Sequence, residues 1–332
     1  MKSNVVVLTG GRQVRFAEID VPDPAPSEIT LETLVTLMSM GTEMICYRGE
    51  SDPGSHWDNW VQYPFYPGYS NVGRVIKVGS EVENFSEGDR VFSTASHRGH
   101  LNLSGGEPGI IKVPEDVTSD NAVWCTMATI TQTSVRQAEH IMGDTAVVIG
   151  CGPIGQLVTQ YLKVVGLRSV LVIDQIQARL DIALAHGATA SFCGSVADAK
   201  DAVLENTEGE LADVVYDATG HHSVLPLAFP LARRHGKVIL LGDSPHPTKQ
   251  HLTSDVLTRQ LRLIGTQNYH LPPQHAVWTA TRQRQLFLQY VQRGQMSVSD
   301  LITHRFSPNE AASAYAQLDA ERGGSVGAVF DW

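Results

Sequence analysis

The segment Gly150-Cys151-Gly152-Pro153-Ile154-Gly155 constrains this chain more than any other, because three glycines at that spacing do three separate jobs. An apolar run, Thr145 to Ile149, precedes it and reads as a strand; a helical stretch, Ile154 to Val165, follows. A second short apolar run, Ser169 to Ile173, then ends at Asp174. This order of strand, helix and strand is a βαβ unit, the context in which such glycines carry meaning. Gly150 permits the sharp turn off the strand. Gly152 removes the side chain that would hold a pyrophosphate away from the main chain, and Gly155 lets helix and strand approach closely. The N-terminus of the helix that follows presents unpaired N–H groups and a partial positive charge to phosphates. Asp174 lies 19 residues beyond Gly155, where a carboxylate accepts hydrogen bonds from ribose hydroxyls and repels a 2′-phosphate. The expected ligand is therefore NAD in preference to NADP, with Arg179 a nearby basic group that softens the preference. A methyltransferase using S-adenosylmethionine also pairs a glycine-rich first turn with an acidic residue ending the second strand. The separate β-rich region placed before the cradle argues against it.

The rest of the chain supports two domains, the natural expectation at 332 residues. Up to about residue 120, short β-type runs are punctuated by Gly and Pro: Ile29 to Leu37, Asn71 to Val78, Arg90 to Ser93 and Gly109 to Val113. Beyond it, strands alternate with helices. After the cradle come a helix at Ala178 to His186, a strand at Val214 to Asp217, a helix at Leu225 to Ala232 and a strand at Lys237 to Leu241. Such alternation predicts a parallel sheet with crossover helices. Further helices are expected at Val277 to Arg293 and Asn309 to Asp319, and the last run, Gly327 to Phe330, is placed to complete a sheet in the first domain. The division expected is a β-rich domain of residues 1–120 and 269–332, and a dinucleotide-binding domain of residues 121–268.

Composition narrows the partners. The net charge of −10 comes from dispersed carboxylates without a basic run, which argues against nucleic acid. Apolar stretches are broken before the roughly 18 to 20 residues needed to span a bilayer, and the N-terminus lacks the pattern of a secretion signal. Cys46, Cys125, Cys151 and Cys193 are scattered, so a disulfide framework or a thiolate zinc cluster is not expected. A soluble protein of the reducing cytoplasm fits these features.

Several segments resemble the medium-chain dehydrogenase/reductase superfamily, and the likeness runs through essentially the whole chain. They include Met40-Gly41-Thr42-Glu43, Pro67-Gly68-Tyr69-Ser70-Asn71-Val72-Gly73, Phe85-Ser86-Glu87-Gly88-Asp89-Arg90-Val91, Ala185-His186-Gly187-Ala188 and Tyr216-Asp217-Ala218-Thr219-Gly220. The resemblance implies a GroES-like β domain beside a doubly wound Rossmann domain, an active-site cleft, and a homodimer or homotetramer formed through the strand Leu261 to Gly265. In the zinc members, Met40 is replaced by Cys and Tyr69 by His, with a third ligand in the segment holding Cys125. A thioether and a phenol are poor zinc ligands, so neither a catalytic zinc nor, with no cysteine between Ser93 and Ile111, a structural zinc is expected. His97 and His100 are the local substitutes there, and the expectation for such loop histidines is solvent exposure.

The same resemblance assigns chemistry. Thr42 matches the hydroxyl that relays the alcohol proton in zinc relatives, and Tyr69 places a phenol in the vacated ligand position, as proton donor or electrophile. Glu43 is expected either to orient Thr42 and tune Tyr69 or to be a buried carboxylate paired with an Arg. The relay histidine of many relatives is replaced by Ile45. The reaction expected is interconversion of an alcohol and a carbonyl by hydride transfer with NAD(P). NADPH-dependent reduction of a quinone or enone, and dinucleotide binding without catalysis, remain as alternatives.

Overall fold

The computed structural model describes residues 1–321 and 323–332. The chain divides into two compact units, one of Met1–Ser51, His56–Thr126 and Val277–Trp332, the other of Asp52–Ser55 and Met127–Ala276.

The second unit is built on six parallel strands. Across the sheet they run Ala190–Cys193, Ser169–Asp174, Thr145–Ile149, Ala212–Asp217, Ala232–Leu240 and Arg262–Gly265. Numbered by appearance within this unit, that order is 3-2-1-4-5-6, the doubly wound arrangement. The order reverses between Thr145–Ile149 and Ala212–Asp217, so the chain leaves the first strand at Gly150 beside the switch point. All five residues of Thr145–Ile149 are buried, as expected for a strand with both faces covered. Val147, Ile149, Leu171, Ile173, Val215, Phe229 and Val238 form the core of this unit. The crossover helix Pro153–Val165 starts with Pro in its first turn, where a missing N–H costs nothing, and ends at Gly166 in a left-handed conformation.

One element here departs from the sequence expectation. The helix predicted over Leu225 to Ala232 stops at Ala228, continues as a 3₁₀ turn over Phe229–Leu231, and Ala232 already begins the next strand. Pro230 has no N–H to donate to the preceding turn, so the α-helix cannot pass it.

The first unit holds a seven-stranded, mostly antiparallel sheet. Its path runs Ile302–Phe306, Gly327–Asp331, Glu28–Met38, Asn71–Val78, Arg90–Ser93 and Ile111–Lys112, with His100–Ser104 also pairing to Glu28–Met38. The C-terminal strand thus returns antiparallel to the long central strand, Ala328 opposite Met38 and Asp331 opposite Val35. A hairpin of Lys2–Gly10 and Gln13–Asp20, and the strand His100–Ser104, were not anticipated. The run Gly109 to Val113 contracts to the two residues Ile111–Lys112. The helix predicted from Val277 begins at Ala280, where the Thr279 hydroxyl caps it by accepting from the Arg282 N–H. Among the described residues no helix is long and apolar enough to cross a membrane.

Candidate functional site

The glycine cradle can be tested by asking what a Cβ would meet. At Gly155 it would lie 1.9 Å from the Gly150 carbonyl oxygen, which no side chain tolerates. Gly150 has φ +89°, and a Cβ there would come within 2.8 Å of the Thr219 methyl. At Gly152, by contrast, nothing lies within 4 Å. Two of the glycines are therefore demanded by the fold, whereas the third keeps clear a space at the helix N-terminus that the protein itself leaves empty. That space, fronted by Gly152 as the N-cap of Pro153–Val165, fits a dinucleotide pyrophosphate.

Asp174 ends its strand with both carboxylate oxygens engaged by main chain: Oδ2 accepts from the Cys151 N–H at 2.7 Å and Oδ1 from the Ile176 N–H at 3.0 Å. These contacts fix the carboxylate beside the cradle, and with about four acceptor positions it retains capacity for ribose hydroxyls. Arg179 Nη1 stands 4.0 Å from Asp174 Oδ2. Gln156, which the sequence reading passed over, ties the parts together, its amide donating to the Cys151 carbonyl at 3.1 Å and the Arg179 carbonyl at 2.7 Å. Burial pushes the Cys151 thiol well up, so it remains protonated and adds no charge against phosphate.

In the first unit, Ser39, Thr42 and Tyr69 bring three hydroxyls together. The Tyr69 phenol donates to Ser39 Oγ and lies 3.2 Å from Thr42 Oγ1. The main chain holds Tyr69 in turn, its carbonyl accepting from the Thr126 hydroxyl at 2.7 Å. Burial pushes the phenol up to about 12. The hydrogen bonds to Ser39 and Thr42 oppose that rise, and the nearby Glu43 and Cys46 add to it. Tyr69 is a neutral phenol over the whole physiological range.

Glu43 departs from its expected pairing with an arginine. It is buried, and its partners are the Ser39 N–H at 2.7 Å, His97 Nε2 at 3.0 Å and the Tyr315 hydroxyl. It acts on Tyr69 through space and not by orienting Thr42 directly. His97 is a second correction: expected on the surface, it is fully buried. Its Nδ1 lies 2.8 Å from Thr36 Oγ1, which also accepts from the Trp332 indole N–H at 3.0 Å. Thr36 Oγ1 and the Glu43 carboxylate thus engage the two ring nitrogens of His97 from opposite sides. Gly68 explains the neighbouring backbone, since at φ +91° a Cβ would lie 2.9 Å from the His97 ring. Replacing Glu43 with alanine would strand three buried donors at once. It should lower unfolding free energy by about 3 kcal/mol in urea titration; a loss under about 1 kcal/mol would mean the network is not held by this carboxylate.

The metal positions of the zinc relatives do not fit that ion here. Cys125 is fully buried and its thiol is pushed well up by burial; Met40 offers a thioether and Tyr69 a protonated phenol. Among the described residues no group of three or more His, Cys, Asp or Glu is placed to hold a metal ion. Between Ser93 and Ile111, a stretch without cysteine, the strand His100–Ser104 pairs antiparallel with Glu28–Met38.

The sequence model of the alcohol dehydrogenase GroES-like domain matches residues 36–152, and that of the zinc-binding dehydrogenase family matches residues 153–282. Sorbitol dehydrogenase of Bombyx mori is 25% identical over 352 residues, covering 96% of this chain and 95% of its own. L-Threonine 3-dehydrogenase of Paraburkholderia phymatum is 26% identical over 311 residues, covering 83% and 86%. An Escherichia coli oxidoreductase of unknown specificity superposes with a TM-score of 0.85 at 18% identity, covering 100% of this chain and 99% of that one.

Proposed function

Because the chain belongs to the alcohol dehydrogenase-like medium-chain dehydrogenase/reductase superfamily, we propose that it interconverts an alcohol and a carbonyl with NAD and without catalytic zinc. The observation that carries this reading is the hydroxyl cluster of Tyr69, Ser39 and Thr42, with Tyr69 at the position that the resemblance assigns to a zinc ligand. When bound, the dihydronicotinamide supplies a hydride to the carbonyl carbon. The carbonyl oxygen then needs a proton, and Tyr69 provides it. A neutral phenol, even one held near 12, is a stronger acid than the alcohol being formed, so the proton moves downhill as charge develops on the substrate oxygen. Thr42 donates a second hydrogen bond to that oxygen, and water returns a proton to the phenolate. The same donor suits reduction of an activated alkene or quinone, so enones and quinones belong on the substrate panel beside polyols, amino alcohols and simple ketones.

Asp174 sets the nucleotide preference in this reading, since its fixed carboxylate repels a 2′-phosphate. Asp174→Ala should weaken NADH binding by about tenfold, the worth of one hydrogen bond to a charged group, and narrow the gap to NADPH, read by fluorescence titration. An unchanged NADH/NADPH ratio would count against the assignment. We further propose a homodimer or homotetramer that uses the edge strand Arg262–Gly265, where Leu263 is exposed, and sedimentation of the intact protein tests it. The reading as a whole is tested by metal analysis beside turnover. Activity on an alcohol or ketone by protein holding less than stoichiometric zinc supports it, and activity that follows zinc content contradicts it.

A further inference from the structure

Ser39 carries no assignment from the resemblance, yet it is the residue through which the buried network reaches the phenol. Its main chain is clamped at both ends to Glu43: the Ser39 N–H donates to the carboxylate at 2.7 Å, and the Ser39 carbonyl accepts the Glu43 N–H at 2.8 Å. Glu43 is itself fixed by His97 and Tyr315, His97 by Thr36, and Thr36 by the Trp332 indole N–H. These residues come from the central strand, the helix Thr42–Arg48, the loop holding His97, the helix Ala311–Ala320 and the C-terminus. Five pieces of the fold therefore converge on one serine. Ser39 is 7% exposed, whereas Thr42 and Tyr69 are only half-buried, so the serine is the least accessible of the three hydroxyl residues.

We infer that Ser39 is a positioning residue, whose hydroxyl holds the Tyr69 oxygen in place and turns to donate to it once the phenol has given up its proton. A hydroxyl can do both because it accepts and donates by rotating its hydrogen alone. In the resting protein Tyr69 donates to Ser39 Oγ. After transfer the phenolate oxygen has no hydrogen, and Ser39 turns its own toward it while the Thr42 hydrogen stays on the product oxygen. The heavy atoms need not move, which is what makes the stabilisation preorganised. No alanine, glycine or apolar residue at this position could serve both states.

This inference rests on the dehydrogenase reading for its kinetic consequence, but one readout needs no substrate. Incorporate 3,5-difluorotyrosine at position 69 and follow its ionisation by fluorine NMR in the full-length protein with Ser39 and with Ser39→Ala. Glu43 and Cys46, the ionisable groups that act on Tyr69 from the adjoining helix, are present in both proteins, as are His97 and Tyr315 behind them. Loss of one donor to the phenolate should make the phenol about tenfold weaker as an acid. An unmoved midpoint would overturn the inference. In turnover, Ser39→Ala should lower kcat by about tenfold or more with KM for cofactor unchanged, and Ser39→Thr, which keeps the hydroxyl, should recover most of it. A kcat within about twofold of the parent, or a loss that follows a fall in melting temperature and is not recovered by threonine, would also overturn it. Failure of the parent protein to turn over any substrate would sink the dehydrogenase reading and leave the fluorine titration to decide this one.

Discussion

Gly152→Ala should leave the protein folded and weaken NAD(H) binding by about 10- to 100-fold, the worth of one or two hydrogen bonds to a charged group. The expectation follows from the contrast among the three cradle glycines. A Cβ at position 152 meets nothing within 4 Å, and the backbone there is extended, with φ −69° and ψ −169°, a conformation alanine adopts freely. Alanine is a weaker N-cap than glycine, at a cost below about 1 kcal/mol, so the melting temperature should hardly move. The methyl group instead occupies the space in which a pyrophosphate would approach the helix N-terminus. Gly155→Ala makes the control. With its Cβ 1.9 Å from the Gly150 carbonyl, it must displace backbone, and stability and binding should fall together. Tight binding retained by Gly152→Ala, measured by calorimetry, would show that the phosphates lie elsewhere.

Tyr69→Phe should reduce the rate of carbonyl reduction by about 100-fold or more while cofactor affinity stays unchanged. Phenylalanine keeps the ring and its packing and removes only the oxygen that Ser39 and Thr42 address. The lost atom is the proton donor, so the effect should appear in kcat. The pH dependence carries a sign that can be checked. Burial raises the phenol to about 12, so the donor form is complete at all lower pH values, and loss of reduction activity assignable to Tyr69 should begin only as pH rises toward that value. A rate for Tyr69→Phe within about threefold of the parent would remove Tyr69 from the proton transfer.

How much of this could be read from the sequence depended on how local the determining physics was. The strands Thr145–Ile149, Asn71–Val78 and Arg90–Ser93 were legible to the residue, because short apolar or alternating runs closed by glycine or charge leave little choice of period. The turn from strand into helix over Gly150 to Gly155 was legible for the same reason, since its three glycines lie within six residues. Glu43 and His97 were not. Their mutual contact spans 54 positions, and the Glu43 contact with Tyr315 spans 272, so nothing adjacent to either residue announces the partner. A polar residue beside histidine in a loop carries the pattern of an exposed turn, and only the assembled sheet, with Gly68 laid against the imidazole, shows otherwise. Ser39 was hidden differently: its phenol partner lies 30 positions away, and a lone serine just past the end of a strand belongs to no motif. Pro230 did announce the early end of the helix Leu225–Ala228, and an apolar run continuing through it masked the signal.

The most direct test of the account is transfer of deuterium from [4,4-²H₂]NADH to a panel of ketones, aldehydes and enones by protein stripped of metal with a chelator and checked by elemental analysis. Hydride transfer with side-chain proton donation predicts deuterium in the reduced product at a rate unchanged by added zinc. Product that forms only after zinc is restored would contradict it.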